Sequence, residues 1–224
     1  MPLPNAWKPG SAGFEESAYA QLRRLYLQPR RTAHAQHFSL TDVRGQIAWA
    51  GGEIVIPEGT YFAYQRLDFT AANLLVRGAG RKTVIMCIGD AYILWAGADG
   101  EMRDLVVKWN AGGGTRTSPA YLVHVTGAKW HGERLLLSDC RAALRMDGAY
   151  DSIVFSETRN VVVGQVGIFG NGLYQNIVGN IVAATGIAND INSLGAKATV
   201  THNRVIGGGI FVGGAGSINT LNQV

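Results

Sequence analysis

Residues 166–183 read VGIFGNGLYQNIVGNIVA, which is a short apolar run, a turn with glycine and a second apolar run. The same order recurs in five consecutive segments, at residues 121–141, 144–163, 166–183, 187–206 and 210–224. One glycine of each segment aligns with the others: Gly127, Gly148, Gly172, Gly195 and Gly214, at spacings of 21, 24, 23 and 19 residues. Such repeats predict a solenoid, in which each coil buries its inner side only by stacking on its neighbours.

The apolar runs in these segments are short, and many alternate and are β-branched, as at Val123 and Val125. This pattern indicates strands and not helices. We therefore predict an all-β fold, a short right-handed parallel β-helix of about seven or eight coils. A β-sandwich also has strands at this spacing, but a sandwich has no reason to repeat the same turn chemistry.

The repeated turn residues have predicted structural roles. We expect the aligned glycines to mark a turn that needs a positive φ in every coil. Asn180, Asn203 and Asn222 each lie eight residues after their glycine. Stacked asparagines can hydrogen-bond along the stack and tolerate the left-handed region, so these three are predicted to form a ladder.

The composition is that of a folded chain with an unusually uncharged second half. Of its 224 residues, 47% are hydrophobic and 16% are charged, and the net charge is +4. The apolar content excludes a disordered chain. Among residues 160–224 the charged side chains are Asp190, Lys197 and Arg204. We expect other copies of the chain to cover part of this surface; the alternative is a surface made soluble by its Asn, Ser, Thr and Gln residues.

The first 45 residues have a different texture and are predicted to anchor the chain. Residues 1–13 are rich in proline and glycine and should be extended, and residues 14–28 fit a short amphipathic helix that ends at Pro29. The candidate anchoring residues are Trp7, Arg23, Arg24, Arg30 and Arg31. Arginines without interleaved aromatic residues are a weak footprint for nucleic acid, and no apolar run is long enough for a membrane span. We divide the chain into an anchoring segment, 1–45, and a β-helix domain, 46–224.

Three segments carry a family resemblance: GGEIVIPEGTY (51–61), NLLVRGAGRKTVI (73–85) and MRDLVVKWN (102–110). They resemble the opening coils of the pectate-lyase-like parallel β-helix superfamily, especially bacteriophage tailspikes and related virion β-helix proteins. Two features depart from the tailspike pattern. The helix that usually precedes the first segment, with its Asp-Thr motif, is missing, and the β-helix region is shorter than in tailspikes that degrade receptors.

The resemblance implies a virion protein that forms a homotrimer. Because the β-helix is short, we expect a non-enzymatic structural protein, a capsid decoration (cement) or head-spike protein, attached through residues 1–45 to the major capsid or tail protein. The chain ends at Val224 on a strand-like run, which we expect another chain to cover. The alternatives are a tailspike or tail-fibre component that binds or cleaves host surface polysaccharide, and a cellular β-helix lyase or hydrolase.

An enzyme acting on polysaccharide needs suitably spaced carboxylates. The candidates in the β-helix region are Glu133, Asp139, Asp147, Asp151 and Glu157. Asp139 and Glu157 come nearest to facing each other in adjacent coils, but a solvated turn or a salt bridge with Arg141 or Arg159 explains them better. The signature residues of polygalacturonases do not occur.

His124 and His131 lie seven residues apart, without a cysteine or carboxylate at ligand spacing. We interpret them, and His202, as surface or turn residues and expect no metal and no other cofactor.

Overall fold

The computed structural model describes residues 53–110, 121–161, 166–184 and 190–224. The predicted arm and helix, with Trp7, Arg23, Arg24, Arg30 and Arg31, lie outside these residues.

The described strands divide into coils. Coil 1 holds β1 (Glu53–Val55), β2 (Gly59–Ala63) and β3 (Leu67–Phe69); coil 2 holds β4 (Leu75–Arg77), β5 (Thr83–Ile88) and β6 (Ile93–Trp95); coil 3 holds β7 (Glu101–Asn110) and β8 (Tyr121–Val125); coil 4 holds β9 (His131–Ser138) and β10 (Ala142–Met146).

Coil 5 holds β11 (Ser152–Val154), β12 (Glu157–Val161) and β13 (Ile168–Gly170); coil 6 holds β14 (Asn176–Val178), β15 (Ile181–Ala184) and β16 (Ile191–Ser193); coil 7 holds β17 (Thr199–Thr201), β18 (Arg204–Ile206) and β19 (Ile210–Val212); β20 (Ile218–Thr220) follows. A single turn of 3-10 helix, Gly80–Lys82, precedes β5. None of the described helical residues forms a segment long and apolar enough to cross a membrane.

The strands stack in parallel and form three faces. The first face contains β1, β4, the first half of β7, the first half of β9, β11, β14, β17 and β20. The second face contains β2, β5, the second halves of β7 and β9, β12, β15 and β18. The third face contains β3, β6, β8, β10, β13, β16 and β19. The chain is an all-β parallel β-helix, and the predicted fold class is confirmed.

The core lies between the three faces, because alternate strand residues point inward. On the first face one inward column consists of Ile54, Val76, Met102, Gly132, Ile153, Ile177, Val200 and Asn219. The indole of Trp130 fills the space that Gly132 leaves, and it packs near Trp95, which in turn packs on Phe69 at 5.0 Å between ring centroids. Burial of each large apolar side chain stabilises the stack by about 1.5–3 kcal/mol.

The aligned glycines occupy the turn that follows the third face, but the predicted reason for them is wrong. Their φ angles are not positive; the left-handed residues stand two positions later, at Lys129 (φ 60°), Tyr150 (64°), Tyr174 (56°), Lys197 (59°) and Gly216 (70°). Glycine is needed because the stacked backbones approach closely. A Cβ on Gly148, Gly172, Gly195 or Gly214 would collide with the carbonyl oxygen of the aligned glycine one coil earlier.

The asparagines line the bend between the first and second faces. The backbone N–H of Ser156 donates to Oδ1 of Asn180 (2.9 Å), that of Asn180 to Oδ1 of Asn203 (2.9 Å), and that of Asn203 to Oδ1 of Asn222 (2.8 Å). The left-handed residues are not the asparagines themselves, as we expected, but the residues before them, Gly179, His202 and Leu221. The ladder therefore satisfies backbone donors at a bend that the preceding residue makes.

Candidate functional site

The two carboxylates singled out in the sequence do not face each other. Glu157 pairs with Leu136 of the preceding coil, whereas Asp139 lies three positions beyond Leu136. Three residues of a strand span about 10 Å. Asp139 accepts a hydrogen bond from Nδ2 of Asn160 at 2.9 Å, and Glu157 is paired with Arg81 and Arg159. Both carboxylates therefore serve in local polar contacts.

Glu157 belongs instead to a groove at the bend between the first and second faces. The corner groove has a volume of about 370 Å³, and its polar and large side chains include Arg81, Asp104, Arg134, Phe155, Glu157 and Ile181. Arg81 of coil 2 reaches across to Glu157 of coil 5, with Nη2 2.6 Å from Oε2. Its extended side chain thus bridges the groove.

A second ion pair lines the corner groove. Arg134 binds Asp104 through two hydrogen bonds, Nε to Oδ1 at 2.6 Å and Nη2 to Oδ2 at 2.9 Å, and it also contacts Glu133. The hydrogen bond from Arg134 holds the pKa of Asp104 below its usual value. Because these charges are already neutralised by one another, a charged ligand would have to displace an internal partner.

A second cluster lies on the outer side of the third face, centred on Arg145. The third-face cluster consists of Tyr121, His124, Arg145, Asp147 and Phe169. Strand register places His124, Arg145 and Phe169 at one outward position in three consecutive strands. The guanidinium carbon of Arg145 lies 5.7 Å from the ring centroid of Tyr121 and 5.5 Å from that of Phe169. The two ring centroids are themselves 6.3 Å apart, so the cation packs beside a contacting pair of aromatic rings, which is a favourable arrangement.

Asp147 connects the imidazole and the guanidinium. Its Oδ2 lies 2.8 Å from Nε2 of His124, and Nε of Arg145 donates to both carboxylate oxygens at 2.9 and 2.8 Å. Burial raises the pKa of Asp147, but the hydrogen bonds from His124 and Arg145 outweigh it, so the pKa lies below its usual value. The side chains of His124 and Asp147 are 24% and 23% exposed. A ligand at this surface would meet an imidazole, a carboxylate and two ring systems together, a combination typical of binding sites.

The sequence contained a signal for this cluster. His124 and Arg145 are 21 residues apart, and Arg145 and Phe169 are 24 residues apart, the same spacings as between Gly127, Gly148 and Gly172. Aligning the outward positions by the glycine spacings would have placed the three side chains in one column. His124 was predicted to be a surface or turn residue because no cysteine or carboxylate stands at ligand spacing from it in the sequence, whereas the structure places Asp147 of the next coil beside it.

Two further carboxylates are buried. Oδ1 of Asp151 accepts a hydrogen bond from the backbone N–H of Trp130 at 3.0 Å, and burial raises the pKa of Asp151 to about 7. Burial also raises the pKa of Asp190 to about 6. Neither side chain is accessible, so these groups affect stability and not the surface chemistry.

Within the described residues no three side chains of His, Cys, Asp or Glu are arranged to hold a metal ion. The third-face cluster has one imidazole and one carboxylate, and the corner groove has carboxylates that arginines already bind. The chemistry available at both places is hydrogen bonding, proton transfer and ring stacking.

Comparison with known proteins adds the following. No protein-family model matches the chain, and no curated protein matches it. Among solved structures, it is similar to a crystal structure of pectin methylesterase in complex with a hexasaccharide, with a TM-score of 0.59 and 16% sequence identity. The match covers 75% of this chain and 61% of that one, so the chain spans less than two thirds of the length of its structural neighbour. At this identity the similarity establishes the parallel β-helix fold.

Proposed function

We propose that this chain is a structural protein of a bacteriophage virion that acts as a homotrimer. The three opening segments in the sequence support the virion assignment, because they resemble tailspikes and related virion proteins. Support for assembly comes from the surface of coils 5 to 7. The partners of each chain would be two further copies of it and the major capsid or tail protein, and its location would be the virion.

The observation that carries the assembly proposal is the exposure of apolar side chains in the charge-poor half. Leu173 and Leu194, in the turns after β13 and β16, are 51% and 45% exposed. Both turns have a further coil on either side, so this exposure is a property of the lateral surface. The charged residues nearby in the sequence are Lys197, Arg204 and the buried Asp190. An exposed apolar surface with few charges is typical of an interface between chains.

Native mass spectrometry of the purified full chain tests this assembly. We expect a species of three chains that dissociates in the double variant Leu173→Glu, Leu194→Glu. The matched control is Tyr64→Glu, which changes a more exposed large side chain of coil 1 (65%) and should leave the trimer intact. A wild-type protein that stays monomeric at tens of micromolar would contradict the proposal.

The virion assignment is tested by quantitative mass spectrometry of purified phage particles. A copy number that follows the capsid lattice supports a decoration protein, and a few copies per particle support a tail component. Absence from particles would contradict the proposal.

A second function has specific support: binding of host surface polysaccharide at the third-face cluster. Arg145 beside the rings of Tyr121 and Phe169, next to His124 and Asp147, offers stacking surfaces and hydrogen-bonding groups at one place. The structural neighbour was solved with a hexasaccharide, which is consistent with this use of the fold.

Calorimetric titration with a panel of bacterial surface polysaccharides tests the second function. We expect Arg145→Ala to weaken binding about tenfold, the effect of losing roughly 1.4 kcal/mol. Arg159→Ala on the second face is the control, because it also removes an ion-paired arginine. Equal binding by both variants would remove the third-face cluster from consideration.

A further inference from the structure

A column of four different polar side chains runs along the first face. Glu101, His131, Ser152 and Asn176 occupy the same outward position in coils 3 to 6, as the strand pairing shows. Neighbouring members of the column are separated by one strand spacing, about 4.8 Å. An acid, an imidazole, a hydroxyl and a carboxamide therefore stand next to one another in that order.

The imidazole and the hydroxyl are in direct contact. Nδ1 of His131 lies 2.7 Å from Oγ of Ser152, and both side chains are half-buried. When the ring carries its proton on Nε2, the serine hydroxyl donates to Nδ1. A serine hydroxyl donating to an imidazole at this distance is the arrangement of an activated nucleophile and its base.

The remaining members of the column suit the same chemistry. Glu101 lies on the far side of His131 from Ser152, where it is paired with Arg103 at 3.0 Å. The carboxamide of Asn176 is exposed beside Ser152 and can donate a hydrogen bond to an oxyanion. Val154 and Val178 lie two residues further along the same strands and on the same side, so they provide an apolar shelf for a short acyl group.

We propose that this column is an acyl-transfer site for short-chain carboxylic esters, with Ser152 as nucleophile and His131 as general base. Oγ of Ser152 attacks the ester carbonyl carbon while its proton passes to Nδ1 of His131. The tetrahedral oxyanion accepts a hydrogen bond from Asn176. The ester C–O bond then breaks, and the alcohol leaves with the proton from His131. Water attacks the acyl-serine by the same route and releases the carboxylic acid and the free hydroxyl.

This activity goes beyond the proposed structural function and does not depend on it, because assembly and anchoring need no serine–histidine contact. The site also lies on a different face from the third-face cluster. Oligomeric state and ester hydrolysis can therefore be measured separately on the same sample.

The experiment uses the full chain with a fluorophosphonate probe and with p-nitrophenyl acetate. We expect labelling of Ser152, located by peptide mass spectrometry, and hydrolysis that falls at least tenfold in Ser152→Ala. Thr199→Ala is the matched control, because Thr199 lies in the same outward column one coil beyond Asn176 and has no imidazole beside it. His131→Ala should lose hydrolysis and regain part of it when free imidazole is added.

A merely structural hydrogen bond predicts a different outcome. In that case Ser152→Ala and His131→Ala would lower the melting temperature, while labelling and hydrolysis would stay at the level of Thr199→Ala. That result, or labelling at any residue other than Ser152, would overturn the proposal. Circular dichroism of each variant confirms that the β-helix is intact when the rates are compared.

Discussion

Asp151 shows how a single buried group can set the pH response of the whole stack. Its carboxyl group lies beneath the turn after the third face, where Oδ1 accepts the backbone N–H of Trp130. Burial raises the pKa to about 7, and a backbone hydrogen bond to the carboxylate only partly opposes this. In an unfolded chain an aspartate titrates near 3.9. Between these two values the folded state holds a proton that the unfolded state has released.

The stability of the protein should therefore fall as the pH rises from about 4 to about 7. In this window the folded state binds more protons than the unfolded state, so the free energy of unfolding decreases by up to about 1.4 kcal/mol per pH unit from Asp151. Asp190, with a pKa raised to about 6, acts in the same direction. Urea unfolding at pH 4.5, 6 and 7.5 measures the effect.

Substitution of Asp151 by asparagine isolates its share of this dependence. An amide keeps an oxygen for the N–H of Trp130 and carries no charge, so Asp151→Asn should flatten the stability profile between pH 4.5 and 7.5. Asp90→Asn changes an exposed aspartate and should leave the profile as in the wild type. An identical slope in the wild type and in Asp151→Asn would contradict the assignment.

At the scale of one element, the asparagine ladder joins consecutive coils at the bend between the first and second faces. Asn203 is buried and hydrogen-bonds both to Asn180 in the coil before it and to Asn222 in the coil after it. Its Oδ1 accepts from the backbone N–H and from Nδ2 of Asn180, and its Nδ2 donates to the carbonyl of Ile177 at 2.8 Å. Each asparagine therefore replaces the hydrogen bonds that the strands cannot make where the backbone turns.

Asn203→Ala should destabilise the β-helix by about 2–3 kcal/mol, because it leaves a buried N–H of Asn180 and a buried carbonyl of Ile177 without partners. Asn222→Ala should cost less, since Asn222 is more exposed and water can replace its contacts. Denaturant unfolding gives the two values, and amide exchange should show faster exchange at Asn180 in Asn203→Ala. Equal costs for both substitutions would contradict a ladder whose strength depends on burial.

The elements also show what the sequence can and cannot predict. Short β-branched runs and recurring glycines were sufficient to predict the parallel β-helix, because both features follow from the stacking of one coil on the next. The columns of side chains that stack from coil to coil were harder to predict, because the number of residues per coil varies. Along the first face, Glu53 pairs with Leu75, Leu75 pairs with Glu101 and Glu101 pairs with His131. These successive partners are 22, 26 and 30 residues apart in the sequence. Contacts such as those of His124 with Asp147, or His131 with Ser152, depend on this register and so were not recognised from composition or local motifs.

At the scale of the whole molecule, the β-helix has faces of different chemistry. The first face carries Glu53, Arg77 and Arg103 at outward positions, with Glu53 and Arg77 paired at 2.5 Å. The second face mixes apolar and charged side chains, since one of its outward columns runs from Val84 through Val106, Leu136, Glu157 and Ile181 to Arg204. Leu173 and Leu194 lie instead in the turns after the third face, each next to one of the aligned glycines. Since exposed apolar residues favour contact with another chain, this corner is the surface that we expect the copies to share.

The last prediction concerns the separate roles of the β-helix and of the anchoring segment, residues 1–45. If residues 1–45 hold the chain on the particle, a chain lacking residues 1–30 should keep its trimer and lose attachment, because Trp7, Arg23, Arg24 and Arg30 are removed. Contacts made by arginines with an acidic surface weaken with salt, so the full chain should also leave particles as the ionic strength rises. Sedimentation of particles with bound protein measures both effects. A truncated chain that still sediments with particles would place the attachment surface outside residues 1–30 and contradict the prediction.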